Sequence, residues 1–225
     1  MTYLRQLGTI VWKDLIVELR TRERTLSMAG FTVLVGILFN FAVDPTVVRI
    51  QDVAAGLIWM TIVFGGMLGL GQTFQLEAEE SAFQGVLMSP TPKDAVFLGK
   101  VVANFVLLFL VTLLVLGVFG LFFSLDYGPH PGGLVLVMAL GVLGFVALGT
   151  LFSAVSSETS MGDTLLPILV FPLLVPMVIY GASATGRLLA GRPMSEIAGN
   201  VRMLGAFALV AVFAGAGLFR FVVEE

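Results

Sequence analysis

The sequence predicts an all-α fold: a polytopic membrane protein with six transmembrane helices, an N-terminal amphipathic interfacial helix and a short cytosolic helix between two spans. Three observations carry this. AVILMFWYC make up 58% of the 225 residues and charged residues only 12%, about half the charged fraction of a soluble globular protein. The mean hydropathy is +1.03. Residues free of Asp, Glu, Lys and Arg gather in six runs of roughly the 20 residues that a helix needs to cross hydrocarbon. A disordered chain and an ordinary cytosolic enzyme are excluded. With 12 Lys+Arg against 15 Asp+Glu there is no basic surface for nucleic acid. The absence of cysteine excludes disulfides, iron–sulfur clusters and thiolate metal sites. The single histidine, His130, stands between Pro129 and Pro131 and reads as solvated loop rather than as an axial ligand. No metal site and no directly bound cofactor is expected.

Residues 1–24 come first. They carry Arg5, Lys13, Arg20, Arg22 and Arg24 and lack a short apolar core followed by a small-residue cleavage site, so no cleavable signal peptide is expected. Leu4, Leu7, Val11, Leu15 and Leu19 fall on one helical face, widened by Ile10 and Trp12. The pattern suits a helix lying in the membrane interface. Asp14 and Glu18 fall inside that apolar sector. Either a protein partner touches the face there, or the helix is a snorkelling anchor.

Spans are expected at about 25–43, 53–76, 101–125, 132–153, 164–186 and 199–219, the last with its uncharged core at 203–219. Asp44-Pro45 stops the first. The uncharged cores hold no ionisable residue, which argues against ion-coupled transport and for a membrane subunit driven from elsewhere. With the N-terminus inside, Arg5, Lys13, Arg20, Arg22, Arg24, Lys93, Lys100 and Arg220 face the cytosol. Only Arg49, Arg187, Arg192 and Arg202 lie outside, in keeping with the positive-inside rule. Both termini are then cytosolic. No loop is long enough to fold alone, so residues 1–225 read as one transmembrane domain. Gly65 and Gly69 in span two, and Gly141, Gly144 and Gly149 in span four, let helices approach closely and read as packing positions.

The one sizeable inside connection, 77–97, has its own pattern. Glu77, Glu79 and Glu80 come first; Phe83, Val86 and Leu87 follow at i, i+3 and i+4 on one face. Pro90 and Pro92 end that helix, and 93–95 begins a short stretch leading to Gly99-Lys100 and span three. A rigid helix joined to two spans can carry force from a soluble motor. The chain has no nucleotide site of its own: Val101 follows Gly99-Lys100, and Asp94 stands where a phosphate loop needs its first glycine. In span five, Pro167, Pro172 and Pro176 each free a carbonyl and bend the helix. Lipid tolerates that only where neighbours satisfy the backbone. This kinked span either lines a substrate path or moving seam, or packs statically.

Three blocks resemble a known family. The stretch 77–90, EAEESAFQGVLMSP, resembles the E-x-E-x-G-T-L-E-G-L-L-x-x-P element of exporter-type ABC permeases, and AVFLGK at 95–100 is similar to their approach to span three. LLPILVFPLLVP at 165–176 resembles the LLPxLxxPLxxP span of the haem exporter protein B family, CcmB. Trp12-Lys13-Asp14-Leu15 with Glu18-Leu19-Arg20 looks like that family's start. Ser81, Ala78 and Thr112 depart from the pattern, standing where a glycine, a basic residue and an acid are common. The resemblance implies an ABC exporter permease fold and the permease subunit of a cytochrome c maturation complex in the bacterial inner membrane. It further implies that Glu77, Glu79, Glu80, Phe83, Val86 and Leu87 meet a CcmA-like ATPase subunit, so that ATP acts through that partner and this chain is not itself an enzyme. CcmC-like and CcmD-like membrane proteins, a second copy of this chain, and haem as cargo or as the load of a chaperone complete the expectation. An ABC permease for another lipophilic or polymeric cargo, and a non-transporting membrane assembly factor, are the alternatives.

Overall fold

The computed structural model describes residues 3–44, 46–74, 91–157 and 162–223. Among them are seven α-helices and no strand: α1 (Tyr3–Thr21), α2 (Glu23–Ala42), α3 (Ile50–Gly71), α4 (Lys93–Phe123), α5 (Pro131–Ser157), α6 (Gly162–Leu189) and α7 (Met194–Val223). Helices α2 to α7 are each long and apolar enough to cross a membrane. The six-span, all-α architecture is therefore the one the apolar runs predict.

The helices outrun those runs where a charge, and not a backbone break, bounds the uncharged stretch. α4 starts at Lys93, well ahead of 101, because the backbone breaks at Pro92 and not at Lys100. Pro92 is extended (φ −57°, ψ 136°) and precedes the first turn, where its missing amide costs nothing. Asp94 in that turn suits the positive helix end. Residues 93–97, expected as the end of the inside loop, thus belong to α4. With 31 residues, α4 is ~46 Å long against ~30 Å of hydrocarbon, so one end projects. α7 likewise begins at Met194, directly after Pro193, and takes Arg202 into the helix.

α5 is the central member, packing against α3, α4, α6 and α7, while α2 rests on α3 and α4. Successive spans alternate in direction, so Thr73 after α3, the start of α4, and the ends of α5 and α7 meet at the end of the bundle that carries α1. At mid-depth the indole of Trp59 on α3 is fully buried, seated on Gly141 of α5 and Gly181 of α6. A Cβ at either glycine would overlap the ring. The indole N–H is satisfied by Thr185 Oγ1 at 2.9 Å. Three of the other glycines noted in spans two and four do similar work inside the chain: Gly69 seats Met28, Gly144 seats Phe207 and Gly149 seats Leu70, whereas a Cβ at Gly65 would make only an ordinary contact with Phe31. At the far end, side chains bond the spans to one another's backbone. Asn40 Nδ2 donates to the Phe122 carbonyl at 2.8 Å, and Asn200 Nδ2 to that of Tyr180 at 3.1 Å.

α1 lies along the projecting turns of α4. Tyr3 Oη donates to Asp94 Oδ2 at 2.9 Å. Farther along, Ile10 sits over Gly99, where an added Cβ would meet its Cγ2 at 2.8 Å. Leu4, Trp12 and Leu19, part of the expected apolar face, are exposed. The rest of that sector is covered: Leu7, Val11 and Leu15 are half-buried, and its side at Ile10 and Asp14, together with Tyr3, meets α4.

Gly141→Leu puts a side chain into the space of the Trp59 indole and should destabilise the bundle by about 1–3 kcal/mol. The check is the melting temperature of the detergent-solubilised protein, which should fall. Gly117→Leu, which meets open space, should leave it unchanged.

Candidate functional site

The polar groups of an otherwise apolar bundle concentrate at the end that carries α1. α4 presents Lys100 and Asn104 one turn apart on a single face; both are about 5% exposed or less. α1 presents Asp14 and Glu18 with the same spacing. The two ladders face each other. Lys100 Nζ lies 3.4 Å from Asp14 Oδ2, and Lys13 Nζ holds the other oxygen at 2.9 Å. Arg24 spans the second rung: its Nε meets Glu18 Oε2 at 2.9 Å, and its Nη1 donates to Asn104 Oδ1 at 3.1 Å.

Thr73, just past the end of α3, ties in the third element. Its carbonyl accepts from Lys100 Nζ at 3.1 Å and its hydroxyl from Asn104 Nδ2 at 3.2 Å. The same Asn104 amide donates to Thr150 Oγ1 of α5 at 3.0 Å. Beneath Lys100 is the ring of Phe74, its centroid 4.5 Å from Nζ, a cation–π distance. That ring stacks on Phe219 of α7, which also meets Phe97 of α4. Five of the six spans thus send a side chain into one cluster, α2 through Arg24 and α3 through Thr73 and Phe74 just past its end, with α1 closing it.

Glu18 has a second task. The chain turns from α1 into α2 at Arg22, whose φ of 58° is left-handed and whose side chain gives α2 no cap. Glu18 supplies it instead: Oε1 accepts from the Thr25 amide at 2.8 Å and from Thr25 Oγ1 at 2.7 Å. Burial pushes the Glu18 carboxyl up, but the bonds from Thr25 and Arg24, together with the Arg24 charge, outweigh it and hold the group below its ordinary value of 4.5. The remaining gap beside Arg24 and Asn104 is about 10 Å³, roughly one water. Among the described residues the cluster is a packed joint.

The residues expected to couple to a motor, Glu77, Glu79, Glu80, Phe83, Val86 and Leu87, lie outside the described residues. Thr73 and Phe74, which the joint grips, are the last described positions before that segment. Pro167, Pro172 and Pro176 lie within the continuous helix α6; Pro167 is half-buried, while Pro172 and Pro176 are exposed on the surface of the single chain. His130 is half-buried, and its carbonyl accepts from the Gly133 and Leu134 amides at the start of α5. Near the opposite end an open cleft of about 650 Å³ is lined by Asp52, Gly56, Ser183, Arg187, Arg192 and Glu196. Its Arg192–Glu196 pair, at 3.2 Å, is largely exposed and contributes little.

Sequence reasoning marked Asp14 and Glu18 as anomalous but missed Lys100, Arg24, Thr73 and Thr150. The partner that Asp14 and Glu18 called for is this same chain. The signal was present: two acids one turn apart on an apolar face, and Lys100 with Asn104 at the same spacing on an apolar helix.

Comparison with known proteins follows the same outline. The family described as "CcmB protein" matches residues 5–220. "Heme exporter protein B" of Paracoccus denitrificans is 31% identical over 212 residues, covering 92% of this chain and 96% of that protein. The protein of the same name from Bradyrhizobium diazoefficiens is 25% identical over 93% of each chain. That from Escherichia coli is 28% identical over 95% of this chain and 99% of its own.

Arg24→Ala leaves the buried Glu18 carboxylate without its cation and should cost about 3–5 kcal/mol, while Arg24→Ala with Glu18→Ala should cost less than Arg24→Ala alone. Melting temperatures of the variants test this. The lowered pKa of Glu18 sets the pH sign. Its contribution is fully present above the ordinary 4.5 and is lost as pH falls through the depressed value. Hydrogen-exchange protection factors at the α1–α2 corner, corrected for the intrinsic pH dependence of exchange, should therefore hold from neutral pH down to 4.5 and fall as the pH drops from there through the depressed value.

Proposed function

This chain belongs to the CcmB protein family, and from that premise we propose that it is the membrane-spanning permease subunit of an ABC transporter for cytochrome c maturation, acting in haem export or in ATP-driven release of a haem-loaded chaperone. The observation that carries this reading is a family match running over nearly the whole chain. The six-helix bundle supports it. So does the polar joint, which grips the chain where α3 leads towards the acidic and amphipathic segment.

Energy comes from a CcmA-like ATPase subunit docked on the segment of residues 77–90. Glu77, Glu79 and Glu80 offer it charge, and Phe83, Val86 and Leu87 an apolar face. CcmC-like and CcmD-like membrane proteins complete the assembly in the bacterial inner membrane, with both termini of this multi-pass chain in the cytosol. Two copies of the chain pair. The exposed face of α6 at Pro172 and Pro176 supports a covering neighbour, because a proline leaves a carbonyl that lipid cannot satisfy. Haem, where it is the cargo, passes without ligation by this subunit, whose sequence offers no cysteine and one histidine. Residues 1–225 act as one permease domain.

Charge reversal at Glu79 and Glu80, or Phe83→Asp, should reduce co-purified ATPase subunit by about ten-fold, the scale of an interface hot spot, with membrane insertion intact. Undiminished ATPase subunit in every variant would remove the docking assignment. Pro172→Ala should lower the yield of mature cytochrome c more than it lowers the level of the protein in the membrane. A parallel loss of both would mark the proline as structural.

A further inference from the structure

Lys100 is 4% exposed, and charge neutralisation alone does not explain its position. Asp14 already has a cation, since Lys13 holds it at 2.9 Å, closer than Lys100 at 3.4 Å. What Lys100 adds is a grip on the chain after α3: the Thr73 carbonyl at 3.1 Å and the Phe74 ring at 4.5 Å. An ammonium has three donors and no acceptor, so one group can hold a carboxylate and a carbonyl from different elements at once. Two further fastenings lie on the α1–α4 seam, Tyr3 on Asp94 and Ile10 over Gly99. One turn beyond Lys100, Asn104 passes the position of Thr73 to Arg24 and Thr150.

We infer that Lys100 is a positioning residue for energy coupling: it fastens the chain that enters segment 75–90 to α1 and α4 together, so that a push on that segment moves α1 and the projecting turns of α4 as one body. α1 is on this account part of the moving lever, not a passive anchor. The inference rests on the ABC permease reading and adds to it the residue that joins the motor's segment to the bundle.

The experiment uses the complete complex in lipid nanodiscs and in cells, with mature cytochrome c formed per ATP hydrolysed as the readout. Lys100→Met should keep ATP hydrolysis within about two-fold of wild type while product per ATP falls about ten-fold or more, a loss of coupling and not of catalysis. Lys100→Arg, which keeps the charge and the donors, should restore most of it. A Lys100→Met complex that matches wild type in product per ATP overturns the inference and leaves the transporter reading standing. A wild-type complex without an ATPase subunit fails that reading first, and the inference with it.

A second measurement does not depend on the Lys100 variants folding. The chain has no cysteine, so Ile10→Cys with Gly99→Cys gives a single engineered pair. A Cβ built on Gly99 lies 2.9 Å from that of Ile10, about 1 Å short of disulfide geometry. If α1 and α4 move as one body, the oxidised and reduced forms should be equally active. Activity that disappears on oxidation and returns on reduction shows that the two helices separate during the cycle, and overturns the inference.

Discussion

A charge removed from water has to find a partner, and at one end of this bundle four such groups find each other. Asp14 and Glu18 on α1 meet Lys100 on α4 and Arg24 on α2, and the arrangement of the first third of the chain follows from that. α1 lies along α4 with Asp14 aimed at Lys100, while Glu18 reaches Arg24 and Thr25 of α2. α2 begins where it does because Glu18, buried by the same contact, caps its third amide. α4 can project beyond a bilayer's thickness because its extra turns are covered by α1. Removing Arg24 or Glu18 leaves the other charge of that pair stranded, which is far more costly than never having had the pair. The lipid around such a bundle offers no water as a substitute.

The spans were legible in the sequence because lipid enforces a simple rule: about 20 uncharged residues for each crossing. The rule fails at its margins for a physical reason. A run of apolar residues ends at the first charge, but a helix ends only where its backbone is broken. Lys100 closes the uncharged run and yet stands well inside α4, because Pro92 is the break and Lys100 has partners within the bundle. Arg202 is the same case in α7. The Glu18 cap was not legible at all. Local capping motifs place the capping side chain within three residues of its amide, whereas Glu18 reaches seven residues ahead through a left-handed turn at Arg22.

The N-terminal helix shows how hydrophobic periodicity changes meaning beside lipid. In a soluble protein the apolar stripe points to the core. Here one side of the apolar sector, with Leu4, Trp12 and Leu19, is exposed, and its other side, with Ile10 and Asp14 and extended by Tyr3, makes the protein contact. An apolar solvent rewards apolar surface on the outside, so packing is signalled by polar and small residues instead. The same inversion holds at mid-depth. Trp59 is seated on Gly141 and Gly181, while Leu34, Leu38 and Phe41 of α2 and Leu209 and Phe213 of α7 face outward. Asp14 and Glu18, two acids on an apolar face, are the better guide to what that face touches.

The two regions differ in how they respond to displacement. Around Trp59 the spans are held by shape: a ring fills notches left by glycine, and shifting it by a fraction of an ångström loses dispersion contacts or creates overlap. Such a region transmits motion without yielding. At the α1 end the spans are held by directional bonds that converge on one short stretch. Thr73 alone accepts from Lys100 through its carbonyl and from Asn104 through its hydroxyl. Moving Thr73 away breaks both bonds together while the Lys100–Asp14 and Arg24–Glu18 pairs stay intact. Asn104, with one donor hydrogen still committed to Thr150 and its oxygen to Arg24, is then left with an unsatisfied donor in a buried place, which carries a penalty of about 1–3 kcal/mol. The joint therefore has a well-defined closed state and a costly open one, with nothing comfortable between. That is the property a mechanical contact needs if a small push next to Thr73 is to be felt across four helices.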